Sequence, residues 1–127
     1  MENSPLKILL ISSDLEVTQR VGSLLPDAVT GAEVMVEPTV DAGLAMVATN
    51  LFHVILFHLP QANAAALFQI SLLATKAPQL PVLVLGPHDD VGFLAEAVFS
   101  GGQDYLGHDQ LTAASLRHAI HGAIARQ

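Results

Sequence analysis

Two apolar patterns alternate along this chain. Short apolar runs, Leu6 to Ile11 (interrupted by Lys7), Val54 to Phe57 and Pro81 to Leu85, are separated by stretches whose apolar residues recur every three or four positions. The runs read as strands, the second and third of them buried on both faces of a sheet, and the spaced stretches as amphipathic helices. The first run ends at Ser12-Ser13-Asp14, a polar cluster suited to capping a helix. Val17, Val21, Leu24 and Leu25 then keep helical spacing, and Pro26-Asp27 is expected to stop it. Glu33-Val34-Met35-Val36-Glu37 alternates like a half-exposed strand and closes at Pro38. Val40, Leu44, Val47 and Leu51 mark a second helix, with Asp41 in its first turn where the helix dipole favours a carboxylate. The third strand is expected to end at His58, with Pro60 turning the chain out of the sheet.

Further along, Ala64 to Lys76 is dense in good helix formers, and Pro78 and Pro81 punctuate the entry to a fourth strand ending at Gly86. Val91 to Ser100 reads as a fourth helix, closed by Gly101-Gly102 in the manner of a C-cap. Asp104-Tyr105-Leu106 is a short last strand, and Leu111 to Arg126 a last helix with Leu116, Ile120 and Ile124 inward. Strands alternating with helices five times predict an α/β (βα)5 fold, a doubly wound five-stranded parallel sheet with helices on both faces. Right-handed crossovers favour the strand order 2-1-3-4-5. In such a sheet, function sits at the carboxyl ends of the central strands, so position 58 stands at the mouth of any site.

Composition adds a surface argument. Only 13% of the residues are charged and 51% are apolar, against about 25% charged in an average soluble domain. Much of the surface must therefore be neutral or apolar, which points to association. The net charge of −7, with five scattered Lys and Arg, leaves no basic stripe to neutralise phosphates, so no nucleic-acid contact is expected. The absence of cysteine excludes disulfides and thiol chemistry. Met1-Glu2-Asn3-Ser4-Pro5 is not a signal peptide, and no apolar run reaches membrane-spanning length. The expectation is a cytoplasmic domain over residues 6–127 behind a short extension, residues 1–5, with any output domain beyond it.

Lys7-Ile8-Leu9-Leu10-Ile11, Pro81-Val82-Leu83-Val84-Leu85 and Gly101-Gly102-Gln103-Asp104-Tyr105-Leu106, as first, fourth and fifth strand segments, carry a resemblance. So does the tail, from Leu111 through Leu116, Ala119-Ile120 and Ala123-Ile124. Over nearly its whole length the chain resembles the receiver domain of two-component response regulators. Such receivers take a phosphoryl group from a phosphohistidine onto an aspartate, with Mg²⁺ held by acidic residues; metal and lysine supply the charge stabilisation. The resemblance implies where each part would stand. The acidic pair is replaced by Ser12 and Ser13, and only Asp14 keeps a carboxylate. The acceptor aspartate is replaced by His58, the switch hydroxyl by Gly86, and the lysine by His108, followed by Asp109 where proline is usual. The loop after the third strand is two residues short. Of the functional positions only the aromatic Tyr105 remains. A hard, oxygen-seeking Mg²⁺ would find at most one carboxylate here. The resemblance therefore implies a pseudo-receiver, with the fold kept, aspartyl phosphorylation lost, no enzyme activity and no cofactor.

Alternatives follow from the histidines. His58, His88 and His108 converge with Asp14 on one mouth, as a transition-metal site or a rearranged phosphoacceptor would require, although no local motif such as H-x-x-x-H supports it. The competing reading has His58 and His108 replace a charged pair with neutral hydrogen bonds. A cobalamin site would need Asp and Gly where Leu56 and Gln61 stand. Tyr105 has no switch hydroxyl to follow, and the gap at Gly86 would let it sit inward permanently; as a bland alternative it is a half-buried strand aromatic. His118 and His121 are expected on a solvated face. The third helix should turn Leu67, Ile70 or Ser71, and Ala74 to the core, leaving Phe68 and Leu72 outside. Phe99 is a second candidate contact on the fourth helix. The expected function is a signalling module that works by protein–protein contact. It is expected to self-associate through the fourth helix, fifth strand and fifth helix, leaving Phe68 and Leu72 for a second protein or adjacent domain.

Overall fold

The computed structural model describes residues 5–59, 61, 63–86 and 91–126. Five parallel strands, β1 (Lys7–Ile11), β2 (Glu33–Glu37), β3 (Val54–His58), β4 (Val82–Gly86) and β5 (Asp104–Gly107), stand in the order β2-β1-β3-β4-β5, as expected. The connecting helices are α1 (Leu15–Ala28), α2 (Val40–Thr49), α3 (Ala64–Lys76), α4 (Val91–Phe99) and α5 (Ala113–Ala125), and a 3-10 turn, His108–Gln110, follows β5.

Because strand side chains alternate between faces, each central strand feeds two cores. Leu9, Ile11, Ile55, Phe57, Val82 and Val84 meet Ile70 and Leu73 of α3 and Phe93 and Ala97 of α4. Ile8, Leu10, Val54, Leu56, Leu83 and Leu85 meet Val21 and Leu25 of α1 and Leu116 and Ile120 of α5. That double burial is why these strands read as unbroken apolar runs. Three of the helices start on a side-chain cap that accepts a backbone N–H three residues on, from Asp14, Thr39 and Asn63, and α5 starts on a capping box between Thr112 and Ser115, which serves otherwise orphaned donors.

Several boundaries depart from the sequence expectation. α1 does not stop at Pro26 but runs on to Ala28. Leu25 and Ala28 are both buried against the α5 side of the core, and the Val29 N–H still reaches the Leu25 carbonyl at 2.8 Å. That packing outweighs the single backbone donor a proline removes. Leu51 lies outside α2, which ends at Thr49, and its side chain is exposed. Here Asn50 caps the helix, its backbone N–H and side-chain amide both donating to the Met46 carbonyl. In β2, an edge strand, Val34 and Val36 are exposed along with Glu33, and Met35 packs against the core. The core face of α3 is Ala66, Ile70 and Leu73, with Ala77 just beyond it; Ser71 is exposed and Leu67 and Ala74 are half-buried, and of the pair expected outside, Phe68 is exposed while Leu72 is half-buried against the core. β3 ends at His58, as expected, although the pairing with β4 continues one bond further. His58 pairs with Leu85, and the Leu59 N–H donates to the Leu85 carbonyl at 2.7 Å. Pro60, expected to turn the chain away, lies outside the described residues.

Among the described residues, no helix is long and apolar enough to cross a membrane.

Candidate functional site

The carboxyl ends of β1, β3, β4 and β5 converge, and the sequence-predicted positions fall there. At the end of β1 the Ser12 N–H donates to the Glu37 carbonyl at 2.9 Å, tying the mouth to the edge strand. The Ser12 hydroxyl is buried; it donates to the Asp14 carbonyl and accepts from the Asp14 N–H, both at 3.2 Å. Ser13 is exposed. The Asp14 carboxylate accepts from the Val17 N–H at 3.1 Å, so the one acidic group left at this strand end caps α1.

His58 closes β3 and is 4% exposed. Its Nδ1 makes no hydrogen bond among the described residues, and the residue has a further interaction with its surroundings. Ser12, Ser13 and His58 line a pocket of about 300 Å³ together with Ile11, Pro38, Thr39, Val40, Phe57 and Gln69. None of these nine residues is an Asp, Glu, Lys or Arg. A pocket of this size is at the low end for small-ligand sites.

At the end of β4, a Cβ added to Gly86 would lie 2.8 Å from the Tyr105 hydroxyl and 3.3 Å from both the Cβ and the carbonyl oxygen of Leu59. The tyrosine hydroxyl thus stands over the glycine, in space a larger residue would take. Phe93 of α4 meets the Tyr105 ring edge-on, at 6.3 Å and 81°, a favourable aromatic geometry. Behind β5 the backbone of His108 opens the 3-10 turn, and the Gln110 side chain accepts from the Gly107 N–H at 3.4 Å. Asp109 is exposed.

His88 and the side chain of His108 lie outside what the structure describes, and no group of three or more metal-ligating side chains occurs among the described residues. Sequence reasoning missed Thr39 and Gln69, which line the mouth from α2's cap and from α3. A polar Gln69 within an apolar helix was the available signal. It also missed His53 at the other end of the sheet, whose Nδ1 accepts from the Lys7 N–H at 2.9 Å.

Chemically, the mouth offers hydroxyls, an imidazole, an amide and a half-buried phenol. Phosphoryl transfer needs positive charge or metal around the transferred group, and the described residues that line the pocket include no lysine, arginine or carboxylate.

No protein-family model and no curated protein matches the chain. Solved structures do. A response regulator receiver domain protein from Clostridium thermocellum superimposes with a TM-score of 0.77 at 25% identity, over 95% of each chain. The fold is a receiver fold. A pilus assembly-related protein from Burkholderia pseudomallei reaches a TM-score of 0.83 at 21% identity, over 98% of this chain and 96% of its own. The pilus assembly protein CpaE2 from Sinorhizobium meliloti reaches 0.75 at 21% identity, over 93% of this chain and 99% of its own.

Proposed function

We propose that this chain is a regulatory module of signal transduction, a pseudo-receiver that works through protein–protein contact without being phosphorylated. One observation carries the reading: the acceptor position of the receiver fold holds a buried imidazole, His58, in a pocket whose described lining includes no Asp, Glu, Lys or Arg. The neighbouring positions support it. Ser12 is spent in a turn, Asp14 on a helix cap, and the space over Gly86 on the Tyr105 hydroxyl. Among the described residues lining the pocket no Asp, Glu, Lys or Arg stands ready to hold Mg²⁺ or to stabilise a transferring phosphoryl group, and receiver chemistry depends on both. The module is not an enzyme, takes no cofactor, and presents its helix faces to protein partners, a second copy among them. Because two structural neighbours are described as pilus assembly proteins, that machinery is where we place its partner.

The test is a heteronuclear NMR titration with beryllofluoride and Mg²⁺, which mimic the phosphoryl group. The resonances of Ser12, His58, Gly86 and Tyr105 should stay in place. Saturable shifts centred on those four residues would refute the proposal.

A further inference from the structure

An open sheet has two edge strands, whose outer N–H and C=O groups are met by side chains, water or another chain. The two edges of this sheet are finished differently. At β5, side chains cover them: the Asp104 carboxylate accepts from the Tyr105 N–H at 2.8 Å, and the Gln110 side chain from the Gly107 N–H at 3.4 Å. Arg126 donates to the Gln103 carbonyl at 3.3 Å and pairs with Asp104. β2 has no such cover. It pairs with β1 alone, held by the Glu33 N–H on the Leu6 carbonyl at 2.8 Å and the Ser12 N–H on the Glu37 carbonyl at 2.9 Å. Successive residues of a paired strand bond to opposite sides, so Glu33, Met35 and Glu37 turn to β1 while Val34 and Val36 turn their N–H and C=O outward. Among the described residues nothing bonds those outward groups. The side chains of the same two valines are exposed and share one face of the sheet.

Charge says what pairs with this edge. Glu33 and Glu37 stand at the two ends of β2 on the face opposite the valines, and neither is in an ion pair among the described residues. Two β2 strands paired antiparallel in register would set Glu33 of each copy against Glu37 of the other, on chains with a net charge of −7 each. Like charges directly opposite destabilise a sheet, so a second copy is disfavoured at this edge and a basic segment favoured. The order Glu33-Val34-Met35-Val36-Glu37 reads the same from either end. A parallel and an antiparallel guest strand therefore need one pattern, Lys or Arg opposite each glutamate and apolar residues opposite the valines. Lys7 stands beside Glu33 on β1, which leaves Glu37 the stronger anchor for a cation. At the amino end of the edge, Lys7, Glu33, Val34, Leu51 and Phe52 help line a hollow of about 200 Å³. That is below the roughly 300 Å³ at which small-ligand sites begin, and it suits a single side chain of a guest strand.

We propose that the open edge of β2 takes an extended basic segment of a partner protein as a sixth strand, with the pattern Lys/Arg, apolar, any, apolar, Lys/Arg. Main-chain bonds to Val34 and Val36 supply the affinity and the glutamates the selectivity. The proposal rests on the reading of the chain as a protein-contact module and adds a sheet edge to its helix faces. A chain that ignores both beryllofluoride and such a segment would leave that reading standing and remove this one.

The probe is the end-blocked peptide Ser-Lys-Val-Thr-Val-Lys-Ser, titrated into the isotope-labelled chain and followed by NMR. Saturable shifts should centre on Glu33 to Glu37, and hydrogen exchange at the Val34 and Val36 amides should slow in the complex. The same peptide N-methylated at its three central residues cannot donate main-chain bonds there and should not bind, nor should a version with Glu in place of both Lys. Glu33→Gln combined with Glu37→Gln should weaken binding roughly fivefold, two exposed ion pairs being lost, with the larger share from Glu37. If that variant fails to fold, the peptide arms decide alone. No binding at millimolar peptide, equal binding of the N-methylated or acidic peptide, or shifts centred on a helix face would each overturn the proposal. So would protection of the Val34 and Val36 amides that rises with concentration of the free chain, since a second copy would then hold the edge.

Discussion

Gly86 and Tyr105 show how a single small residue shapes a contact. The hydroxyl of Tyr105 sits where a Cβ on Gly86 would be pressed to 2.8 Å, and Phe93 closes on the ring edge. Gly86→Ala should therefore turn the tyrosine outward, since the far end of a side chain yields before the Leu59 backbone does. Tyr105 is the only tyrosine in a chain without tryptophan, so its fluorescence reports the motion alone. Acrylamide should quench Gly86→Ala more strongly than wild type, and stability should fall by about 1–3 kcal/mol. Equal quenching would mean the glycine is not what holds the ring. At this scale the sequence was partly readable. A glycine where a hydroxyl is expected signals a gap, but only the structure shows which side chain lies over it. The capping role of Asp14 was legible from Ser12-Ser13-Asp14, and so was the place of His58 as the last residue of β3; its pairing with Leu85 was not.

Helix ends and helix faces were legible to different degrees. Gly101-Gly102 reads as a stop, and the structure gives it form: the Gly101 N–H bonds the Val98 carbonyl and the Gly102 N–H the Ala97 carbonyl, both at 3.1 Å, the pairing of a Schellman end. Gly101 has φ +128, and a Cβ on it would lie 2.5 Å from the Cβ of Ala74 on α3. Gly101→Ala should cost roughly 1–3 kcal/mol from strain alone, with the steric clash adding to it, and chemical denaturation would measure it. A loss within a few tenths of a kcal/mol would show that neither the backbone strain at position 101 nor the contact with Ala74 is held in place. The faces of α3 were harder to read. A helix apolar on two sides has no single phase in its sequence pattern, so the stripe through Ala66, Ile70 and Leu73 could not be told from its neighbours. α1 taught a similar lesson at Pro26: two buried side chains, Leu25 and Ala28, keep the helix going past a residue that on its own would end it.

For the whole molecule, the architecture was the most legible level. Doubly buried runs at Val54 to Phe57 and Pro81 to Leu85 specify a sheet covered on both faces, and crossover handedness then leaves few orders for five strands. The location of the mouth follows from that topology rather than from any local motif, which is why Ser12, His58, Gly86 and His108 were placed correctly along the strand ends while Gln69 and Thr39, which come from flanking helices, were not. The partner faces depend on side-chain exposure, to which sequence pattern is nearly blind. The central claim is that a receiver fold works here without receiver chemistry. Intact-mass spectrometry after incubation with acetyl phosphate and Mg²⁺ tests it most directly. The account predicts an unchanged mass for the wild-type chain at neutral pH; a stable gain of one phosphoryl group, removed by His58→Ala, would contradict it.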